Sequence, residues 1–319
     1  MIQTIGSLWM WLGFLAFIGV MLTLDMLLLR TRGDHKVSLR EAATWTLFWI
    51  LLALIFNAGL WWYLDTNVGR AIANTRALEF LTGYLIEKAL AVDNIFVFIM
   101  IFSYFAVPAE YQRRVLIYGV LGALLMRAVM ILLGAVLLAQ FHWILYVFGG
   151  FLVYTGIRMM RSAEHAPDLA QNRLLRWLRN HLPITQTYHG EHFMIYDQGK
   201  RYFTPLFLVL VLIEVTDLIF AVDSIPAIFA VTEDPFIVFT SNIFAILGLR
   251  AMYFLLADIA DRFHLLKYGL ALVLVFIGAK MLLLDVYPIP IGIALGVVAL
   301  TIGASVVASL YFPPKRMAQ

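Results

Sequence analysis

Seven polar residues stand inside two long apolar stretches: Glu87, Asp93 and Asn94 in the first, and Glu214, Asp217, Asp223 and Ser224 in the second. A carboxylate at the centre of a membrane helix costs roughly 2.5 to 3.5 kcal/mol on insertion scales, so five acids in such stretches require partners or a purpose. Their carboxylate, amide and hydroxyl oxygens suit a hard divalent cation, Mn²⁺, Mg²⁺ or Ca²⁺, and suit copper poorly. Zinc ordinarily takes His or Cys, which these stretches lack. The deep cations are Lys88, Arg127 and Arg250; set against five acids they leave −2, the charge one divalent ion would neutralise. Moving a boundary by a few residues brings Asp25, Lys280 or Asp258 into that sum. The competing reading makes the charges structural, with Asp93 paired to Arg127 and Asp223 to Arg250 as helix-to-helix locks, and with Glu87 and Lys88 reaching together toward the outer surface.

The two stretches are copies of one another. Leu90-Ala-Val-Asp93-Asn94-Ile95 returns as Phe220-Ala-Val-Asp223-Ser224-Ile225, and an acid stands six residues earlier each time, Glu87 and Asp217. Downstream, Met126-Arg127-Ala128 answers Leu249-Arg250-Ala251, and Gly156 and Arg158 answer Gly278 and Lys280. The offset between copies drifts from 130 at the acids to 123 at the arginines and 122 at the glycines. In a straight helix, residues six apart are about 9 Å apart along the axis and about 120° apart in azimuth, so one copy alone cannot enclose a small ion and both must contribute. Pro226 lacks an N–H and leaves the Val222 carbonyl as a further oxygen beside Asp223.

The elements that must position these groups follow from composition. Hydrophobic residues make up 63% of the 319-residue chain, charged residues 13%, and mean hydropathy is +0.89, which leaves too little polar surface to coat a soluble globule. An all-α polytopic membrane protein is expected, with spans of about 20 residues near 8–29, 43–64, 80–103, 115–138, 143–161, 206–230, 236–257, 266–285 and 289–312. The first lacks a basic leader and a cleavage site and reads as a retained span. With the N-terminus outside, seventeen Lys and Arg fall on cytoplasmic segments and only Arg70 and Arg76 on outward ones. The chain divides into two N-terminal helices (1–79), a first three-helix unit (80–161), a basic cytoplasmic linker (162–204), a second unit (205–286), and a last helix with its tail (287–319). Each unit holds three spans, an odd number, so the second runs upside down relative to the first, as in many secondary transporters. Within the linker, a short amphipathic helix is expected around Leu174 to Leu182, its basic face on anionic lipid.

Several functions are disfavoured. With no cysteine, the protein has no disulfide, iron–sulfur or thiol redox chemistry of its own. No phosphate-binding loop suggests an ATP-driven pump, no Ser/His/Asp set lies at a useful depth, and the small net charge of +3 reports orientation, not nucleic-acid binding. The seven histidines fall in loops or at span ends. A non-enzymatic transporter without a bound cofactor is therefore expected, with the bilayer, a divalent cation and protons as partners. The alternative is a membrane interaction or stress-response protein that works through the 162–204 linker.

Glu87-Lys-Ala-Leu-Ala-Val-Asp93-Asn94, Asp217-Leu-Ile-Phe-Ala-Val-Asp223-Ser224-Ile-Pro226-Ala and Thr240-Ser-Asn242-Ile-Phe-Ala-Ile-Leu-Gly248-Leu-Arg250 together resemble the TerC family closely, its Alx-type members in particular. The resemblance covers nearly the whole chain and is weakest in the linker and at the C-terminus. It implies a bacterial inner-membrane protein tied to manganese export, alkaline induction and tellurium resistance; with the orientation read from the charges, the N-terminus is then periplasmic and the C-terminus cytoplasmic. Mn²⁺ as the ion and outward as the direction come from the resemblance alone. Metal loading of secreted proteins and redox modulation are further roles attached to the family.

Overall fold

The computed structural model describes residues 4–31, 38–141, 143–162, 173–197, 199–257, 265–287 and 289–312, with side chains outside 25–31 and 162. The Asp25 side chain, His142, Asp258, Arg262, His264, the first part of the linker and the C-terminal tail therefore lie outside what is described. The helices are α1 (Leu8–Thr31), α2 (Leu39–Asn67), α3 (Arg70–Tyr104), α4 (Ala109–Gln140), α5 (Ile144–Ser162), α6 (Arg173–His181), α7 (Pro205–Phe229), α8 (Pro235–Leu247), α9 (Leu249–Ala257), α10 (Leu266–Leu282) and α11 (Ile291–Tyr311). Two four-residue strands, β1 (Met194–Asp197) and β2 (Lys200–Phe203), pair antiparallel in the linker. No expectation from the sequence covered this hairpin; its turn is made at Gly199, whose φ of 77° suits glycine. The expected linker helix is present as α6: Leu175 and Leu178 are buried, while Arg173, Arg176 and Arg179 are exposed.

Helix is the dominant form because a continuous apolar segment in hydrocarbon must satisfy its own backbone groups, and an α-helix does so within one segment. The chain is an all-α integral membrane protein in which four helices, α2, α4, α7 and α11, are long and apolar enough to cross a bilayer among the described residues. The bent pair α8 and α9 makes a fifth. The 35-residue α3 is long enough, but it carries Glu79, Glu87, Lys88 and Asp93 along its length.

The bend of 40° between α8 and α9 falls at Gly248. The Lys88 Nζ donates to the Ala245 carbonyl at 3.2 Å and lies where a Cβ on Gly248 would come within 2.7 Å. Lys88 thus caps the C-terminal end of α8, where the helix dipole favours a cation. It turns away from Glu87, so the two do not form the outward-reaching pair.

At the start of α8, Asp234 is 2% exposed and accepts from the Thr4 hydroxyl, the Ile5 N–H and the Phe236 N–H at 2.8, 2.8 and 2.9 Å. One carboxylate therefore caps α8 and ties down the N-terminal segment. Asp234→Ala is expected to lower stability by about 2 kcal/mol, read as an earlier thermal unfolding transition in detergent.

Helices α5 and α10 make the most extensive pairing in the molecule. They run antiparallel, and their glycines let the backbones touch. A Cβ on Gly156 would stand 2.7 Å from the Ala271 carbonyl oxygen and 3.1 Å from the Val275 nitrogen. A Cβ on Gly278 would stand 2.6 Å from the Gly149 carbonyl oxygen and 2.9 Å from the Val153 nitrogen. Small residues at such crossings are how membrane helices gain van der Waals contact where no hydrophobic drive separates helix from lipid.

Candidate functional site

The acids of the two copies meet around one arginine. Arg127, on α4, is 1% exposed and sits between α3, α7 and α8. Its guanidinium forms an ion pair with the Glu87 carboxylate of α3 and reaches Asp217 of α7 through Nε and Nη2 at 3.4 and 3.3 Å. Its Nη1 also donates to the Ser224 hydroxyl and to the Asn242 side-chain oxygen, both at 3.3 Å. The Asn242 amide in turn donates to Glu87 at 3.2 Å, and the Asn94 amide donates to Asp217 at 3.1 Å. Glu87, Asn94, Asp217, Ser224 and Asn242 are all 3% exposed or less.

Five predicted site residues therefore converge: Glu87, Asn94, Asp217 and Ser224, with Arg127 at their centre. Two acids and one arginine leave a buried charge of −1, held by the fork of a guanidinium, which can engage two carboxylates at once. Glu214, one turn before Asp217, lays its carboxylate against the Gly122 backbone of α4, and the negative charge of Asp217 acts on it.

Asp93 and Asp223 are not part of this cluster. The cation acting on Asp93 is Lys267, at the start of α10. Asp223 lies near Thr155 and Arg158, both on α5. The expected locks of Asp93 to Arg127 and Asp223 to Arg250 give way to these arrangements, because the helix turns the two acids of each motif about 120° apart. Arg250 instead borders a cavity of about 10 Å³ with Leu22, Trp49, Val120 and Leu247. Among the described residues, no three of His, Cys, Asp and Glu group closely enough to hold an ion, and at the centre Arg127 stands between Glu87 and Asp217.

Asn242 escaped sequence reasoning as a site residue, although its setting carried a signal. Thr240, Ser241 and Asn242 are three consecutive polar residues inside an apolar run, and all are completely buried. A buried amide needs partners, and Asn242 finds them in Glu87 and Arg127. Lys267, Thr155 and Arg158 likewise needed the packing of α5 and α10 to show which acids they lie near.

On the cytoplasmic side expected from the charges, the linker covers the α3–α4 turn. Tyr188 donates to the Phe105 carbonyl at 2.7 Å, and burial raises its phenol above the ordinary value. Arg114 pairs with Glu191 at 3.4 Å and stacks near Phe193.

No solved structure matches the chain. It is 58% identical over 296 residues, 93% of its length and 92% of the relative's, to an Escherichia coli K12 protein named "Putative membrane-bound redox modulator Alx". A Photorhabdus laumondii protein of the same name is 54% identical over 97% of both chains. "Uncharacterized membrane protein STKORF319" of Myxococcus xanthus is 49% identical over 96% of this chain and 93% of its own. The family model "Integral membrane protein TerC family" matches residues 72–317, which takes in α3 from its third residue, every helix from α4 to α11 and all the clustered acids. By that match and by relatives similar over more than nine-tenths of their length, the chain belongs to the TerC family of integral membrane proteins.

Proposed function

We propose that this protein is a transporter of the bacterial inner membrane that exports a divalent cation, Mn²⁺ first among candidates, from the cytoplasm. The observation that carries the reading is the meeting of Glu87 and Asp217 with Asn94, Ser224 and Asn242 in one buried cluster. Those two acids are equivalents in the two copies, and the oxygens around them are the donor set a hard cation takes. Asp93 and Asp223 flank this centre as the second pair of equivalents, and Arg127, Arg250, Lys88 and Glu214 set the surrounding charge. Proton exchange through one of the acids supplies the drive.

The transport frame is nine crossings, N-terminus periplasmic and C-terminus cytoplasmic, with units 80–161 and 205–286 inverted. The α5–α10 contact supports this frame. An offset of 122 carries Gly149, Val153 and Gly156 onto Ala271, Val275 and Gly278, so it carries Gly156 against Ala271 and Val275 onto Gly278 against Gly149 and Val153. Contacts that exchange between antiparallel helices are those of a two-fold axis across the helices, and such an axis in the membrane plane relates inverted units.

The test is ⁵⁴Mn efflux from metal-loaded cells lacking their own exporters, comparing the intact protein with Asp93→Asn and Asp223→Asn at equal membrane abundance. Efflux driven by the intact protein and lost in both variants is expected. Equal efflux from cells with and without the protein would reject transport.

A further inference from the structure

The centre of the cluster is occupied by a side chain of the protein itself. We infer that Arg127 is a tethered competitor for the transported cation: it holds the site while cargo is absent and must leave it for cargo to bind. The inference rests on the proposed reading of Glu87 and Asp217 as the ion site and concerns how that site is regulated.

Three observations support it. Every guanidinium nitrogen that faces the cluster is spent on an oxygen a divalent ion would use: Glu87, Asp217, Ser224 and Asn242. The Asn94 side-chain oxygen, 1% exposed, accepts no hydrogen bond among the described residues although its amide is held on Asp217. A buried acceptor without a donor normally costs free energy, and here it is a neutral oxygen at the edge of an anionic pair, the kind of donor a cation completes. Charge supplies the third. With Arg127 in place the acids carry −1, and a divalent ion added beside the guanidinium would leave +1 and face its repulsion at close range in a low dielectric. With Arg127 withdrawn the acids carry −2, which one divalent ion neutralises and one monovalent ion does not.

A counter-charge for the displaced guanidinium exists. Glu214 lies one turn from Asp217 on α7 and rests against α4 at Gly122, on the helix that carries Arg127. The move from Asp217 to Glu214 is about 4.5 Å along α7, within the reach of an arginine side chain. The competitor explains how a site with enough charge to attract a divalent ion can also release it: return of the guanidinium expels the cargo. It also favours divalent over monovalent cations without a close-fitting cage.

The experiment measures Mn²⁺ binding to full-length protein in detergent by titration calorimetry, for wild type, Arg127→Gln, Arg127→Lys and Arg127→Gln/Asp217→Asn. Apparent affinity is reduced by the fraction of time the site is blocked, so Arg127→Gln is expected to bind Mn²⁺ about tenfold more tightly or better. Arg127→Lys, whose ammonium cannot bridge both carboxylates, is expected to fall between it and wild type. The double variant is expected to lose binding. Where Arg127→Gln does not fold, Arg127→Lys carries the test alone. Wild-type binding that neither variant tightens overturns the competitor and leaves the transport reading intact. Absence of Mn²⁺ binding in all four proteins overturns both.

Discussion

Asp217→Asn is expected to reduce Mn²⁺ efflux to the level of cells without the protein while leaving the protein folded. An asparagine oxygen can still accept from Arg127, so the packing and most hydrogen bonds of the cluster survive, but its charge falls from −1 to zero. Arg127 then pairs with Glu87 alone in a neutral couple, and a divalent ion has nothing to exchange with. Ser224→Ala, which removes one neutral oxygen at 3.3 Å from the guanidinium, is expected to slow efflux only a few-fold. The comparison requires equal abundance in the membrane and a monodisperse peak on size exclusion. Undiminished efflux by a folded Asp217→Asn protein would make the cluster a structural lock. The reverse operation, removing Arg127, exposes two buried acids without a counter-charge; breaking a buried pair in this way typically costs about 3 to 5 kcal/mol, which is why the lysine variant accompanies the glutamine variant in the binding experiment.

The second large effect is at the crossing of α5 and α10. Gly156→Leu and Gly278→Leu are each expected to destabilise the protein by about 3 kcal/mol or more, seen as loss of the monodisperse species and of the cooperative thermal transition. At both positions the first atom of a side chain would meet backbone atoms of the opposite helix at 2.6 to 3.1 Å, and backbone cannot swing aside as a flexible side chain can. Gly150→Leu is the control: a Cβ there meets nothing within 4 Å among the described residues, and the variant is expected to behave as wild type. Similar losses at Gly156 and Gly278 would follow from contacts that exchange between the two units; a large loss at one and tolerance at the other would argue against that equivalence.

The Asp223 and Asp93 variants probe a different part of the molecule from Asp217. Asp93 on α3 lies in the field of Lys267 on α10, and Asp223 on α7 in that of Arg158 on α5. If cargo passes the centre and then these flanking acids, all three substitutions lower efflux, but only Asp217→Asn removes the charge that balances Arg127.

The membrane class, the helical content and the pairing of motifs were legible in the chain because each rests on local pattern. Continuous apolar runs require helices in hydrocarbon, and Ala-Val-Asp93-Asn94 returning as Ala-Val-Asp223-Ser224 marks equivalent positions whatever the packing. The excess of Arg and Leu at 173–181 similarly marked an amphipathic helix. Which acid faces which cation was beyond sequence, because it depends on helix rotation and on residues 40 to 174 positions apart in the chain. Arg127 meets Glu87 and Asp217 instead of Asp93, Lys88 turns to the end of α8, and Asn242 enters the cluster through the packing of α8 against α3 and α4. Sequence determined which groups must find partners inside the bilayer; only the tertiary structure decided the partners, since burial makes a buried charge's nearest neighbour the one that sets its energy.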